Sequence, residues 1–177
     1  MKNKLSVLLA LLFLLCTAMC REEFEEYIPC QVTLTGIGKV EHLDNAGSVP
    51  VAPVGGVVSR QAYMLRIPLD FEYEKETVEG TYYEYILTDT IANIQIISLT
   101  AYDESHPAGT DVNELFMNYP LRQEDQLTDY KYGYMYGTVF YKIPRTLPQS
   151  GVHRFKVVVT TRKGEEFTKE TDEITMQ

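Results

Sequence analysis

From Tyr63 to Tyr73 the chain alternates. Tyr63, Leu65, Ile67, Leu69, Phe71 and Tyr73 are apolar or aromatic, while Met64, Arg66, Pro68, Asp70 and Glu72 hold the places between them. Successive side chains of a strand point to opposite faces, so a period of two builds one dry face and one mostly wet face and is incompatible with a helix. Such a strand cannot stand alone: its backbone needs neighbours and its dry face needs a second layer. Pro68 has no N–H to give, which predicts that the strand is at an edge or bulged at that point.

The rest of the chain repeats the theme. Residues 31–40 begin with Val32 and Leu34 on one side, and Gly36 and Gly38 allow a bulge or bend before Val40. Residues 91–102 are apolar on both faces, with Ile94 and Ile96 opposite Ile97 and Leu99, the pattern of a central strand covered on both sides. Residues 132–143 and 153–162 are rich in aromatic and β-branched side chains. Arg162-Lys163-Gly164-Glu165 supplies a turn into residues 166–176, and residues 82–87 add a further strand. The helical signal is confined to Asp111 and Glu114, spaced as a capping box, with one or two turns expected over residues 112–117. About seven strands with long loops predict an all-β chain folded as a single two-layer β-sandwich. The closing hairpin, with Gly151 before it and Phe155, Val157 and Val159 on one face, resembles the last strands of an immunoglobulin-like domain. The chain has no Trp and no cysteine pair to set between sheets, so only the architecture is implied.

The N-terminus is of another kind. Lys2 and Lys4 precede residues 5–15, an apolar run that only Ser6 interrupts, and charge returns at Arg21, Glu22 and Glu23. A membrane-spanning helix needs about 20 apolar residues, so an export signal is the better reading. Two end points compete: cleavage after small residues near Ala18, or cleavage before Cys20 with lipid attached to its thiol. Leu14-Leu15-Cys16-Thr17-Ala18-Met19-Cys20 resembles a bacterial lipoprotein signal; Thr17 and Ala18 suit the pattern, and Met19 stands where Gly, Ala or Ser is usual. The organisation read from this is a signal peptide over residues 1–19, an acidic tether over 20–29 and a β-sandwich domain over 30–177. Cys20-Arg21-Glu22-Glu23 resembles the short acidic tag that sends Bacteroidetes-type lipoproteins to the outer face of the outer membrane. The plainer reading of Arg21, Glu22 and Glu23 is a solvated leash. Cys16 leaves with the signal, Cys20 carries the palmitate anchor, and Cys30 is read as a small buried hydrophobe. Without lipidation, Cys20 and Cys30 could instead pair in an oxidising compartment.

The whole arrangement is similar to small Bacteroidetes-type lipoproteins that carry one β-rich domain of unknown function. The residues that carry the resemblance are the Cys20 signal, Ala62-Tyr63-Met64-Leu65-Arg66-Ile67, and Ala108-Gly109-Thr110-Asp111 leading into Leu115-Phe116. It implies no catalytic residue. What it implies is an outer-membrane lipoprotein, lipid-anchored and facing the cell surface, with a binding or assembly role.

The chemistry of the remaining residues points the same way. The chain sets 25 Asp and Glu against 16 Lys and Arg, a net charge of −9 that excludes a nucleic-acid partner. His42, His106 and His153 are far apart and none has a second His or Cys at ligand spacing, so neither a metal nor another cofactor is expected. Val54-Gly55-Gly56-Val57 lies in a Pro- and Gly-rich connection over residues 45–56, without the Lys-Ser or Lys-Thr of a phosphate loop. Asp103-Glu104-Ser105-His106 places acid, hydroxyl and imidazole together, but triad members converge from separate elements, so a polar loop is expected. Asp103, Glu104, Asp111, Asn113 and Glu114 lack the alternating Asp and the Gly of a calcium loop. The expected function is therefore that of a non-catalytic lipoprotein, held to the membrane by its lipid and binding a protein or glycan. The alternative is a glycan-binding accessory lipoprotein of a polysaccharide-use system. The candidate binding face is Tyr130, Tyr132, Tyr134 and Tyr136, which share one face at a strand period of two, with Lys131, Gly133, Met135 and Gly137 on the other. An exposed row of phenols would stack on sugars or anchor a partner. Its plainer use is to cover a half-buried sheet, because Gly133 and Gly137 leave the opposite face too bare for a core.

Overall fold

Every strand of a sandwich must find hydrogen-bond partners for its edges, and this requirement arranges the chain. The computed structural model describes residues 28–75, 83–119 and 139–177. Its strands are β1 (Ile28–Ile37), β2 (Glu41–Asp44), β3 (Val57–Val58), β4 (Tyr63–Tyr73), β5 (Tyr83–Leu87), β6 (Ile91–Ser98), β7 (Phe116–Asn118), β8 (Val139–Pro144), β9 (Gly151–His153), β10 (Phe155–Thr161), β11 (Glu166–Glu170) and β12 (Ile174–Met176). A 6-stranded sheet runs β5-β1-β4-β8-β7, with β2 also on β4; two 3-stranded sheets run β11-β10-β6 and β3-β12-β9. Leu34, Ile37, Leu65, Ile67 and Leu69 of the large sheet meet Ile96, Phe155, Val157 and Val159 of the second sheet in one core. Val58, Ile174 and Met176 of the third sheet join it. The fold is thus an all-β, two-layer sandwich, with parallel pairs β1–β5 and β3–β12 among otherwise antiparallel ones.

β4 occupies the alternating segment and buries Tyr63, Leu65, Ile67 and Leu69, but the alternation is not complete: Met64, placed on the wetter face, is fully buried, and Tyr73, placed on the dry face, is exposed. The strand is not at an edge, which corrects one half of the expectation for Pro68: β1 and β2 lie along one side of it and β8 along the other. Gly38 N donates to Pro68 O at 2.9 Å. A hydrogen-bonded antiparallel pair exchanges two such bonds, and Pro68 has no N–H to return the second. The ladder therefore breaks there, and the chain that pairs with β4 is divided into β1 and β2. A register shift between Leu34 and Gly36 supplies the bulge expected from the glycines.

Other expectations need correction. Residues 91–102 do not form a central strand: β6 ends at Ser98 and has β10 alone as its strand neighbour among the described residues. Its outer edge is taken by a loop, through Ser98 N to Thr110 O (2.9 Å), Gly109 N to Ser98 O (2.7 Å) and Val112 N to Ile96 O (2.8 Å). The strand flanked on both sides is β10, where Val157, Val158 and Val159 are buried in succession. Asp111 does not open a helix. Its Oδ1 accepts from Asn113 N at 3.0 Å and from Ile96 N at 3.2 Å, tying the loop to β6. Only a single 3-10 turn over Asn113–Leu115 follows before Phe116 enters β7 and pairs with β8. Residues 166–176 split into β11 and β12, which belong to different sheets. Ile28 and Pro29, placed in the tether from the sequence, pair with Tyr83 and Glu84 as the start of β1. Cys30 is buried and free.

The break at Pro68 generates a prediction. A Cβ at position 38 would lie 3.1 Å from Pro68 Cγ and 3.2 Å from Asp70 Oδ1, whereas one at position 36 would meet only Asp70 Oδ2 at 3.8 Å. Gly38→Ala is expected to lose about 1–3 kcal/mol from overpacking, and Gly36→Ala to stay within about 0.5 kcal/mol of the parent. Urea unfolding midpoints of the two variants check the contrast.

Candidate functional site

Cys20, Arg21, Glu22 and Glu23 lie outside the described residues, as do Tyr130, Tyr132, Tyr134 and Tyr136. The side chains with chemical potential that are described each hold the fold. His42, on β2, sets Nε2 2.9 Å from Asp172 O; a carbonyl only accepts, so Nε2 carries the hydrogen and Nδ1 accepts from Tyr63 Oη at 2.9 Å. Tyr63 is buried, and burial pushes its phenol well above the ordinary value. His153 is 1% exposed. Its Nε2 donates to Gln149 O at 2.7 Å, and its Nδ1 is buried without a partner beside the rings of Tyr102 and Phe155. Burial pulls both imidazoles below the ordinary 6.5.

The segment 103–106 is a polar loop. Asp103 Oδ1 collects Ser105 N at 2.8 Å, His106 N at 2.9 Å and His106 Nδ1 at 2.7 Å. The bond from His106 holds the Asp103 carboxyl below the usual carboxylate range. Asp111 is engaged with β6, as described above. Among the described residues, no three His, Cys, Asp or Glu side chains are placed to hold a metal ion.

Two surfaces remain, and neither was singled out from the sequence. The first follows β2. Residues 45–59 contain no charged side chain in a chain that is 23% charged. This arm, read from the sequence as a flexible or turning connection, is pinned. Asp44 N donates to Val51 O (2.8 Å), Val51 N to Asp44 O (3.0 Å), Asn45 N to Ala62 O (2.8 Å) and Ala46 N to Asp44 Oδ1 (2.9 Å). At its tip, Gly55 and Gly56 adopt φ of 64° and 70°, the left-handed region that other residues avoid. Val49, Val51 and Val54 are 65%, 56% and 91% exposed. Beside them Val57, Thr175 and Val152 form a row across β3, β12 and β9 with exposed side chains. The missing charge was legible; the pinning was not, because all of its bonds but the one to Asp44 Oδ1 join backbone groups.

The second surface lies at the start of β1. Ile28, Cys30, Val32 and Leu34 alternate onto one face, opposite Tyr83, Tyr85 and Leu87 of β5 and Tyr73 and Phe71 of β4. Cys30, Val32 and Leu34 are buried, but Ile28 is 40% and Tyr73 41% exposed, so cover ends between them. The rings of Tyr83 and Tyr85 stack at 6.1 Å and 23°, and Tyr73 stands against Tyr85 at 5.6 Å and 77°. Two phenols make a floor and a third makes a wall.

Comparison with known proteins adds a family and little else. A family model described as "Domain of unknown function (DUF5034)" matches residues 37–172. No curated protein matches the chain. Among solved structures it is similar to the C-terminal domain of the Streptococcus pyogenes antigen I/II-family protein AspA, at 12% identity and a TM-score of 0.31. That likeness covers 81% of this chain and 46% of that one, and at this score it carries no argument.

The buried histidines make stability depend on pH. Their native values lie below 6.5, so the unfolded chain takes up protons first as the pH falls. Their contribution is complete above 6.5 and is lost as the pH falls from there through the depressed native values. Each histidine adds a slope of at most about 1.4 kcal/mol per pH unit. His153→Gln is expected to flatten the fall in unfolding free energy between about pH 6.5 and 5.5, measured by urea titration at several pH values against the parent.

Proposed function

We propose that this chain, a member of the family described as a domain of unknown function (DUF5034), is a membrane-anchored, surface-exposed lipoprotein with a non-catalytic binding or assembly role. The observation that carries this reading is the pinned, uncharged valine arm. β4 runs from Tyr63, beside Ala62 where the arm is tied down, to Tyr73, near Ile28 where the described domain begins. At ~3.4 Å per residue the two ends are about 34 Å apart. A lipid on Cys20 would enter at the Ile28 end, which leaves the arm pointing away from the membrane. Exposed apolar surface on an otherwise acidic domain marks a place where a partner removes it from water. A preformed turn also keeps the ordering cost of that contact low. The bonds that occupy His42, His153, Asp103 and Asp111 support a role without catalysis, since each of these groups has a structural task.

A glycan-binding accessory role is the second reading, favoured by the exposed ring of Tyr73 beside the partly buried rings of Tyr83 and Tyr85, which together offer apolar faces with hydroxyl rims.

Two experiments test the first reading. Wild-type chain fed labelled palmitate takes up label and Cys20→Ser does not; label on the variant would refute the anchor. A photoreactive residue at position 54 gives a discrete crosslinked species in intact cells, and Val49→Asp with Val51→Asp removes it. Because these valines are exposed, the double variant keeps its unfolding free energy within about 0.5 kcal/mol per site. Absence of any crosslink at position 54 would end the claim for the arm.

A further inference from the structure

We infer that the tyrosine-rich end of the sandwich, Tyr73, Tyr83 and Tyr85 with Ile28, is the face on which the domain rests against a lipid–water interface. The inference rests on the lipid anchor proposed above and goes beyond it by naming the side chains that touch the lipid surface. Three observations meet at this end. The chain enters the domain there: Ile28 opens β1 and pairs with Tyr83. The stretch from Cys20 to Ile28 reaches at most about 28 Å at ~3.5 Å per residue, less than the length of β4, so an anchored domain keeps this end nearest the bilayer. Finally, the face is apolar with polar rims. Tyrosine rings settle at the headgroup level of membranes because one end is oily and the other is wet.

Three phenols and an isoleucine make a weak contact for a free protein. A short tether changes the arithmetic, because it holds the face at an effective concentration of roughly millimolar or more, so that even a weak contact is occupied. Glu72, Glu74 and Lys75 are exposed nearby, and Lys75 Nζ donates to Pro29 O at 3.3 Å. The chain as a whole has a net charge of −9, so an acidic domain of this kind suits a zwitterionic surface better than an anionic one. A pyranose ring is the competing occupant of the same rings, and the test separates the two.

The chain contains no Trp, so a single introduced one reports alone. Full chain, processed by the host and purified, is reconstituted into phosphatidylcholine vesicles with brominated acyl chains. Flotation with the vesicles reads the anchor, and quenching reads the face. Tyr83→Trp and, as a second reporter, Tyr73→Trp are expected to lose most of their emission, while Val54→Trp at the other end of β4 keeps it. Protein that floats with all three reporters equally bright overturns the inference and leaves the anchor standing. Protein that fails to float refutes the anchor; the same variants are then coupled through the Cys20 thiol to maleimide lipids, and the quenching pattern decides as before. Emission from Tyr83→Trp that ignores lipid but shifts with laminarin or dextran overturns the inference in favour of a glycan site.

Discussion

Phe155 is the side chain on which the layers converge. It is fully buried and stands within ring-contact distance of His42, Tyr63, Tyr102, Phe116 and His153. Those residues come from β2, β4, the loop after β6, β7 and β9, so one phenyl ring joins the large sheet, the β10 layer and the small third sheet. Burying such a ring contributes roughly 1.5–3 kcal/mol from area alone, and each tilted or edge-on ring pair adds to it. Its backbone is held as firmly: Phe155 N donates to the buried Thr171 hydroxyl at 3.0 Å, and Thr171 N returns a bond to Phe155 O at 2.9 Å. The buried histidines are tolerable in this setting because they stay neutral, with Nε2 of each satisfied by a carbonyl.

Around that centre the molecule manages its strand edges with irregular chain. The 109–112 loop occupies the outer edge of β6, and the Pro68 break lets a single chain pair with β4 twice, as β1 and then as β2. Both devices limit open ladders, which are the usual route to unwanted strand addition. They also give the domain a direction. The segment after β2 turns out into the valine arm at one end of β4, while β1 and β5 start together at the other. Two chemically different surfaces, one aliphatic and uncharged and one phenolic, are thus held at opposite ends of a single long strand.

Much of the all-β character was legible. The alternation over residues 63–73 corresponds to β4, and the inward set Phe155, Val157 and Val159 is fully buried. The glycine-rich stretch near residue 36 bulges as its composition implied. What failed did so for a common reason. Residues 91–102 look doubly covered because Ile94, Ile96 and Ile97 are apolar, yet a flanking loop rather than a strand fills their outer edge. Asp111 and Glu114 have capping-box spacing, yet Asp111 is drawn to Ile96 N, which is distant in sequence. β2, β3, β7 and β9 are too short to show any period.

Sequence alone determined the dry face along Tyr63, Leu65, Ile67 and Leu69 of β4, because side-chain polarity alternates there with the strand itself. It also determined the acidic balance, the uncharged span 45–59 and the apolar run over residues 5–15 with Cys20 beyond it. Only the tertiary structure decided which strands are central, where Phe155 collects its rings, and that the valine arm and the tyrosine cluster lie at opposite ends of β4. The physical reason is that strand pairing is made by backbone groups every residue shares. Side chains therefore report a strand's faces, and its neighbours are settled only when the whole chain satisfies its hydrogen bonds at once.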